Sequence, residues 1–339
     1  MRGGELDIPA ACETTRRARP CSNCLQQQET GALRPPCMLP LLPLVAMTSC
    51  PRLVVVSGCG SRGVGLGIAR QVLAQDTAAE VVIMARSLER ASSISTELGA
   101  RAHAVQCDVT SDESCSAAAA AVRDLGGAEL LALVNNAGFA ADLPWFPTPW
   151  VAGTASATLA VNLFGAERLT RALLPQLLAA EDGRAVFVSS GGGRMNMRRM
   201  GEARRSQLLA TGTLAWDDIV ALAAAFTAEY ESAAAAQTPD APLPILSASG
   251  LWLQAYGFSK ACLAAYCQVL ARERPSLLCV TCSPGWVKTE MSSTYAGDAV
   301  LRSVDEGGEV AAWLACGERR ELSTGFYQPD RSRVSWVAD

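Results

Sequence analysis

The sequence predicts an α/β protein built on a doubly wound parallel sheet, and three observations carry that prediction. Continuous β-branched apolar runs recur along the chain, each separated from the next by an alanine-rich stretch of helical character. Runs without polar alternation suit strands buried on both faces, and their alternation with helices suits parallel crossovers. The first run closes in a glycine-rich turn, "SGCGSRGVGLG" from Ser57, at the carboxyl end of a strand, where such sheets open their ligand crevice. Finally, 339 residues, 50% of them hydrophobic, can bury one large core, so residues 51–339 are expected to form a single domain.

Residues 1–50 precede this pattern. They are rich in arginine, glutamine, proline and cysteine without a sustained period, so a disordered or targeting extension is expected. Arg16, Arg17 and Arg19 favour organelle targeting, whereas Glu5, Asp7, Glu13 and Glu29 oppose it, and Met47 offers an alternative start just ahead of the first strand. Cys21 and Cys24 have CxxC spacing, but no second pair or nearby histidine completes a zinc site, and no metal is expected. Most of the thirteen cysteines read as reduced core thiols, several of them inside apolar runs such as "LLCVTC".

The first strand is expected at Leu53–Ser57, and its glycine turn has three readings. Gly58, Gly60 and Gly63 spell the dinucleotide fingerprint GxGxxG; Gly58 and Gly63 frame the GxxxxG of a P-loop; and Gly63-Val64-Gly65 closes a TGxxxGxG with one residue too many. The P-loop fails, because Val64 and Gly65 stand where Lys and Ser or Thr would hold terminal phosphates and Mg²⁺. A ligand-free strand-to-helix turn would look much the same at this point.

The second strand, "VVIMA" from Val81, ends in Arg86, where an NAD-selective fold usually has an acid. With Arg62 on the other side, Arg86 would attract a ribose 2′-phosphate, which favours NADP(H) over NAD unless both are ordinary surface arginines. Further strands are expected at "AHAVQC" from Ala102, "LLALVN" from Leu130, "AVFVS" from Ala185 and "LLCVTC" from Leu277, with a helix from Ser111 to about Leu125. Tyr256 and Lys260, four apart on a helical segment, share one face. A nearby ammonium could lower the phenol pKa toward neutrality, although Tyr-x-x-x-Lys also occurs on ordinary helices.

Four more motifs fall at or beside the expected crevice: "LVNNAG" (133–138), "VNLFG" (161–165), "VFVSS" (186–190) and "SPGWVKT" (283–289). In this order and combination the sequence resembles the short-chain dehydrogenase/reductase family, with its Rossmann-type sheet, from Leu53 to the C-terminus. The resemblance implies a tetrad of Asn162, Ser190, Tyr256 and Lys260. Tyr256 would protonate a substrate carbonyl oxygen as hydride arrives, Ser190 would hydrogen-bond the same oxygen, Lys260 would bias Tyr256 and hold the nicotinamide ribose, and Asn162 would place a relay water. It further implies cofactor contacts from Ser57, Gly58, Ser61, Arg62, Gly63, Val64 and Gly65, from Arg86, Asp108 and Val109, and from Asn135, Ala137 and Gly138. Pro284, Gly285, Val287 and Thr289 would complete them, and Trp286, Met291 and Phe139 are candidates for the substrate wall.

Residues 191–255 form an insert between Ser190 and Tyr256 far longer than most members carry, with a basic segment from Arg194 to Arg205 and the amphipathic "TLAWDDIVALAAAFTAEYESAAAA". The monomeric NADPH-dependent carbonyl reductases resemble it in this respect, which implies a monomer whose insert helix covers the usual dimer surface. The basic segment reads better as a solvated loop than as a substrate-anion site. Net charge of −4 offers no field for nucleic acid, and no apolar run reaches the roughly 20 residues of a membrane span. The resemblance implies a cytoplasmic enzyme that reduces ketones, aldehydes or quinones with NADPH. A dedicated biosynthetic alcohol dehydrogenase for a terpenoid, alkaloid or steroid-like compound, and a non-catalytic NADP(H)-binding regulator, are the alternatives. A serine hydrolase is excluded, since the only histidine, His103, lies in the expected third strand, away from the crevice.

Overall fold

Valine and leucine runs that place apolar side chains on both sides of a strand require cover on both faces, and the structure supplies it. The computed structural model describes residues 51–126, 128–143, 151–236 and 254–336. Six parallel strands form the body of an eight-stranded sheet: β1 (Arg52–Val56), β2 (Ala79–Ala85), β3 (Ala102–Gln106), β4 (Glu129–Asn135), β5 (Arg184–Val188) and β6 (Leu278–Cys282). Their order, β3-β2-β1-β4-β5-β6, reverses between β1 and β4. All six match the strands expected from sequence, and the fold is the Rossmann-type doubly wound sheet. A two-residue β7 (Phe326–Tyr327) continues beside β6, and β8 (Arg333–Val334) turns back antiparallel to it. Neither was expected, because two residues are too few to show a period.

Successive β1 residues feed opposite layers. Leu53 and Val55 join the core cluster that holds Val122, Leu169 and Leu173, while Val54 and Val56 join the one with Ile68, Val72 and Leu314. The second layer contains α1 (Val64–Gln75), α2 (Leu88–Leu98) and α10 (Val304–Cys316); α3 (Asp112–Asp124), α5 (Ala166–Ala179) and α9 (Gln254–Glu273) belong to the first. Helices α1 and α10 touch through glycines. A Cβ on Gly67 would come within 2.0 Å of the Val304 carbonyl oxygen, and one on Gly308 within 2.3 Å of the Gly67 backbone.

The insert folds as α6 (Gly191–Arg199), α7 (Glu202–Leu209) and α8 (Trp216–Ala236). Helix α8 buries Ile219, Ala223, Phe226 and Tyr230, a stripe at helical spacing. Leu222, on a neighbouring position of the helix, is only partly buried, whereas Tyr230 is fully so. Phe226 stacks on Phe258 of α9, with ring centroids 4.1 Å apart, and Trp216 meets Phe164 and Tyr266 edge-on. By length and composition alone α8 could cross a membrane, a feature missed in the run-length reading, but its buried stripe is committed to the first layer and Asp217 and Asp218 open its first turn. The extension at 1–50, with Cys21 and Cys24, and insert residues 237–253 lie outside the described residues. The eight described cysteines form no disulfide, and seven are buried.

Candidate active site

The carboxyl ends of β1, β4, β5 and β6 open into one cleft of about 530 Å³. Its walls come from the turn after β1, the start of α6, the start of α9 and the segment after β6. Tyr256, Lys260 and Ser190 all line it.

Tyr256 sits in the first turn of α9 and Lys260 one turn on, with the ammonium 5.9 Å from the centroid of the phenol ring. Lys260 is buried and donates from Nζ to the Val188 carbonyl at 2.8 Å, which anchors it to the end of β5. Burial pulls its pKa down to about 8, with a small opposing influence from Cys282. The expected lowering of Tyr256 by this ammonium is not what the surroundings produce. Burial raises the phenol pKa, and a hydrogen bond with Ser190 is the influence that opposes it.

The two serines after β5 have separate tasks. Ser189 is buried and donates to the Lys260 carbonyl at 3.0 Å, so it splices β5 to α9. Ser190 caps α6, accepting from Gly192 N at 3.0 Å, and this fixes the hydroxyl that meets Tyr256. A Cβ on Gly193 would lie 2.8 Å from the Lys260 backbone, so α6 can approach α9 this closely only with glycine there.

Asn162 lies in a π-helical turn, Ala160–Gly165, between α4 (Thr154–Leu159) and α5. It is fully buried; Oδ1 accepts from Phe139 N at 2.7 Å, while Nδ2 donates to the Phe139 carbonyl and to Ser259 Oγ, both at 2.9 Å. Ser259 in turn donates to the Tyr256 carbonyl at 2.7 Å. With both N–H groups engaged, Asn162 braces the Tyr256 turn, and the relay role implied by resemblance is narrowed to what a second Oδ1 lone pair could accept.

The glycine turn keeps the extra residue on its outside. Gly58 has φ +67°, a conformation favouring glycine, and a Cβ there would collide with Ala137 at 2.4 Å. Cys59 is turned inward, its N–H bonded to Met84 O, while Ser61 and Arg62 stand exposed between Gly60 and Gly63. Ser61, Arg62, Gly63 and Val64 line the cleft together with Gly58 and Gly60. Ser57 and Gly65 do not. Ser57 is buried and its hydroxyl accepts from the N–H groups of Asn136 and Ala137 at 3.0 and 3.1 Å, tying β1 to the end of β4; Gly65 sits beneath, where a Cβ would meet Asn136 Nδ2 at 2.8 Å.

Among the other expected contacts, Gly138, Pro284, Gly285, Val287, Thr289, Trp286 and Met291 line the cleft. Asn135 is buried and donates to Thr170 Oγ1, Ala137 packs on the core, and Val109 is buried, its carbonyl accepting from Arg168; these three are framework. Phe139 is exposed but is not among the lining residues. Asp108 follows β3 and Arg86 follows β2, and bonds from Thr110 and then the charge of Arg86 hold the Asp108 carboxyl below its usual range; Asp108 is not among the lining residues. Arg86 itself does not line the cleft, whereas Arg90, in the first turn of α2, does. Sequence reading missed Arg90, although the first turn of the helix that follows a candidate phosphate arginine is a place to look.

It also missed Met195, Leu143, Gln328 and Pro329 on the substrate side. Trp286 stacks on Tyr295 at 4.8 Å. Ser283 accepts from Gly191 N and Gly285 N at 3.3 and 3.2 Å and links the loops after β5 and β6. His103 meets Glu80 in the far half of the sheet, so no Ser-His pair forms.

A model of the short chain dehydrogenase family matches residues 52–202. NADPH carbonyl reductase 3 of Rattus norvegicus is 31% identical over 281 residues, covering 79% of this chain and 92% of the relative. NADPH carbonyl reductase 1 of Homo sapiens is 29% identical over 283 residues with the same coverage. Among solved structures, salutaridine reductase from Papaver somniferum superposes with a TM-score of 0.68 at 24% identity, covering 82% of this chain and 99% of that one. An NADPH-bound carbonyl reductase from chicken fatty liver gives 0.59 at 22% identity, with 84% and 94% covered. At these identities the two structures speak to the fold.

Proposed function

Because the chain belongs to the short-chain dehydrogenase family and is an oxidoreductase of carbonyl and alcohol groups, we propose that it reduces a ketone, aldehyde or quinone with NADPH, Tyr256 delivering the proton. The observation that carries this reading is the convergence of Tyr256, Ser190 and Lys260 on one cleft that also contains the glycine turn. The cleft suits a dinucleotide: a Cβ on Gly60 would meet nothing within 4 Å, α1 opens toward it with glycine at the N-cap, and Arg62 and Arg90 stand at the adenosine end. When bound, the cofactor supplies the hydride. The chain's own residues do the rest.

Tyr256 holds its proton at neutral pH because burial raises the phenol pKa, so it is poised to donate to a carbonyl oxygen that becomes alkoxide-like. Ser190, held by its cap bond to Gly192, hydrogen-bonds the same oxygen and stabilises the charge that develops there. Lys260, anchored on the Val188 carbonyl, offers its remaining N–H groups to a nicotinamide ribose and places a positive charge beside the donor. The Trp286 and Tyr295 stack, Met291 and Met195 give the substrate side a mainly apolar wall suited to a mid-sized carbonyl compound.

Tyr256→Phe tests the reading. Removing the hydroxyl while keeping the ring is expected to lower kcat by about 10²–10⁴-fold with NADPH affinity kept. Reduction at near wild-type rate, followed by NADPH absorbance over a carbonyl panel, would refute the assignment of the donor.

A further inference from the structure

Asp142 is fully buried and lies outside both the tetrad and the cleft lining. Its carboxylate accepts from Ala255 N at 2.7 Å and from Tyr256 N at 3.4 Å, across 113 and 114 residues of sequence. A helix leaves its first N–H groups without intrahelical partners, and they are usually capped by a neighbouring side chain. Among the described residues, Asp142 is the side chain that reaches these N–H groups. Gln254, the first residue of α9, has φ +34°, and neither polar atom of its buried side-chain amide has a partner among the described residues. A non-glycine residue in that region is strained and persists where its surroundings hold it. The long-range carboxylate is bonded directly to this helix start.

The segment bearing Asp142 grips Tyr256 at both ends of the same residue. Its peptide N–H goes to Asp142; its carbonyl accepts from Ser259, which is bonded through Asn162 to the backbone of Phe139, three residues before Asp142. We propose that Asp142 is a positioning residue for the proton donor, its carboxylate fixing the first turn of α9 at the height where the Tyr256 phenol meets Ser190. This rests on the reading of Tyr256 as proton donor.

Burial pushes the Asp142 carboxyl up to about 6, the N–H groups of Ala255 and Tyr256 opposing that rise. Among the described residues, the titratable groups around it are Tyr256 on α9, with Lys260 one turn on, and Tyr230 on α8, whose own pKa is raised by burial and further by Asp142 and Glu231. Glu231 itself is bonded to Gly153 N at the start of α4. Acidification through about pH 6 therefore protonates Asp142, converts one acceptor oxygen into a donor and loosens the cap.

The test is kcat against pH for the wild type, Asp142→Asn and Asp142→Ala, with 4-nitrobenzaldehyde and menadione as probes and NADPH affinity measured by fluorescence. The wild type is expected to lose kcat as pH falls through about 6. Asp142→Ala should lose roughly 10–100-fold in kcat at neutral pH with NADPH affinity unchanged, since a misplaced catalytic group costs rate rather than cofactor binding. Asp142→Asn, which keeps a capping oxygen but does not titrate, should recover most of kcat and lose the acidic limb. An Asn variant with the wild-type acidic limb, or an Ala variant with wild-type kcat, overturns the proposal; if the Ala variant does not fold, the Asn profile decides alone. Tyr256→Phe separates the two claims. An inactive Phe variant beside unaffected Asp142 variants removes only the positioning role, whereas an active Phe variant, or a wild type that reduces neither probe, removes both.

Discussion

Cofactor choice turns on single charges. Arg62 lies on the exposed side of the glycine turn, Arg90 lines the same end of the cleft, and Arg86 stands beside Asp108, close enough to lower its pKa. An acid at the end of β2 would repel a 2′-phosphate, and here the position is basic. A charge-assisted hydrogen bond to that group contributes about 1.5–3 kcal/mol, roughly tenfold or more in affinity. Arg62→Glu and Arg86→Glu are therefore expected to weaken NADPH binding at least about tenfold and NADH binding little. Titrating both cofactors by fluorescence checks it; equal losses for the two would show that neither arginine reads the 2′-phosphate. Tyr256, Ser190 and Lys260 were legible because their spacing is local or their motif ends a strand. Asp142 was not. A lone acid in a loop acquires meaning only when folding brings it to the start of a helix more than a hundred residues away.

At the scale of elements, the six longer strands could be read from unbroken apolar runs and the insert helix from its amphipathic period, whereas β7, β8 and the π turn at Asn162 leave no such trace. The π turn shows why. It depends on tertiary bonds from Asn162 to Phe139 and Ser259, which no local pattern announces. The stripe on α8 is a different case, visible as Ile219 and Phe226 in the sequence, though its last member, Tyr230, passes for a surface aromatic among acids. Phe226, fully buried and stacked on Phe258, joins the insert to α9. Phe226→Ala is expected to destabilise the protein by about 3–5 kcal/mol, through lost transfer energy and the cavity left behind. Leu222→Ala, one turn earlier and only partly buried, should cost clearly less. Urea unfolding of both variants checks the contrast, and similar losses would mean that the stack is not what fastens α8.

The whole molecule then raises the question of assembly. Helices α4 and α9, with the π turn between α4 and α5, present Phe164, Phe258 and Tyr266, and a chain lacking α8 would leave these apolar rings open to water or to a second copy. Here Trp216 and Phe226 cover them from within the same chain, while Asp217, Asp218 and Glu229 occupy other positions of the helix, with Glu229 paired to Arg204 of α7. The cover is built from aromatic contacts of the kind that stable interfaces use, so the surface is already satisfied. A monomer follows. Light scattering is expected to give a mass near 35.6 kDa that does not change with concentration. A stable dimer or tetramer would sink this expectation. Deleting residues 213–236 should strip the cover and produce association or aggregation, because the exposed rings would form a contiguous apolar patch. If the shortened chain instead remained monodisperse at the monomer mass, self-covering by α8 would not be what keeps the protein single.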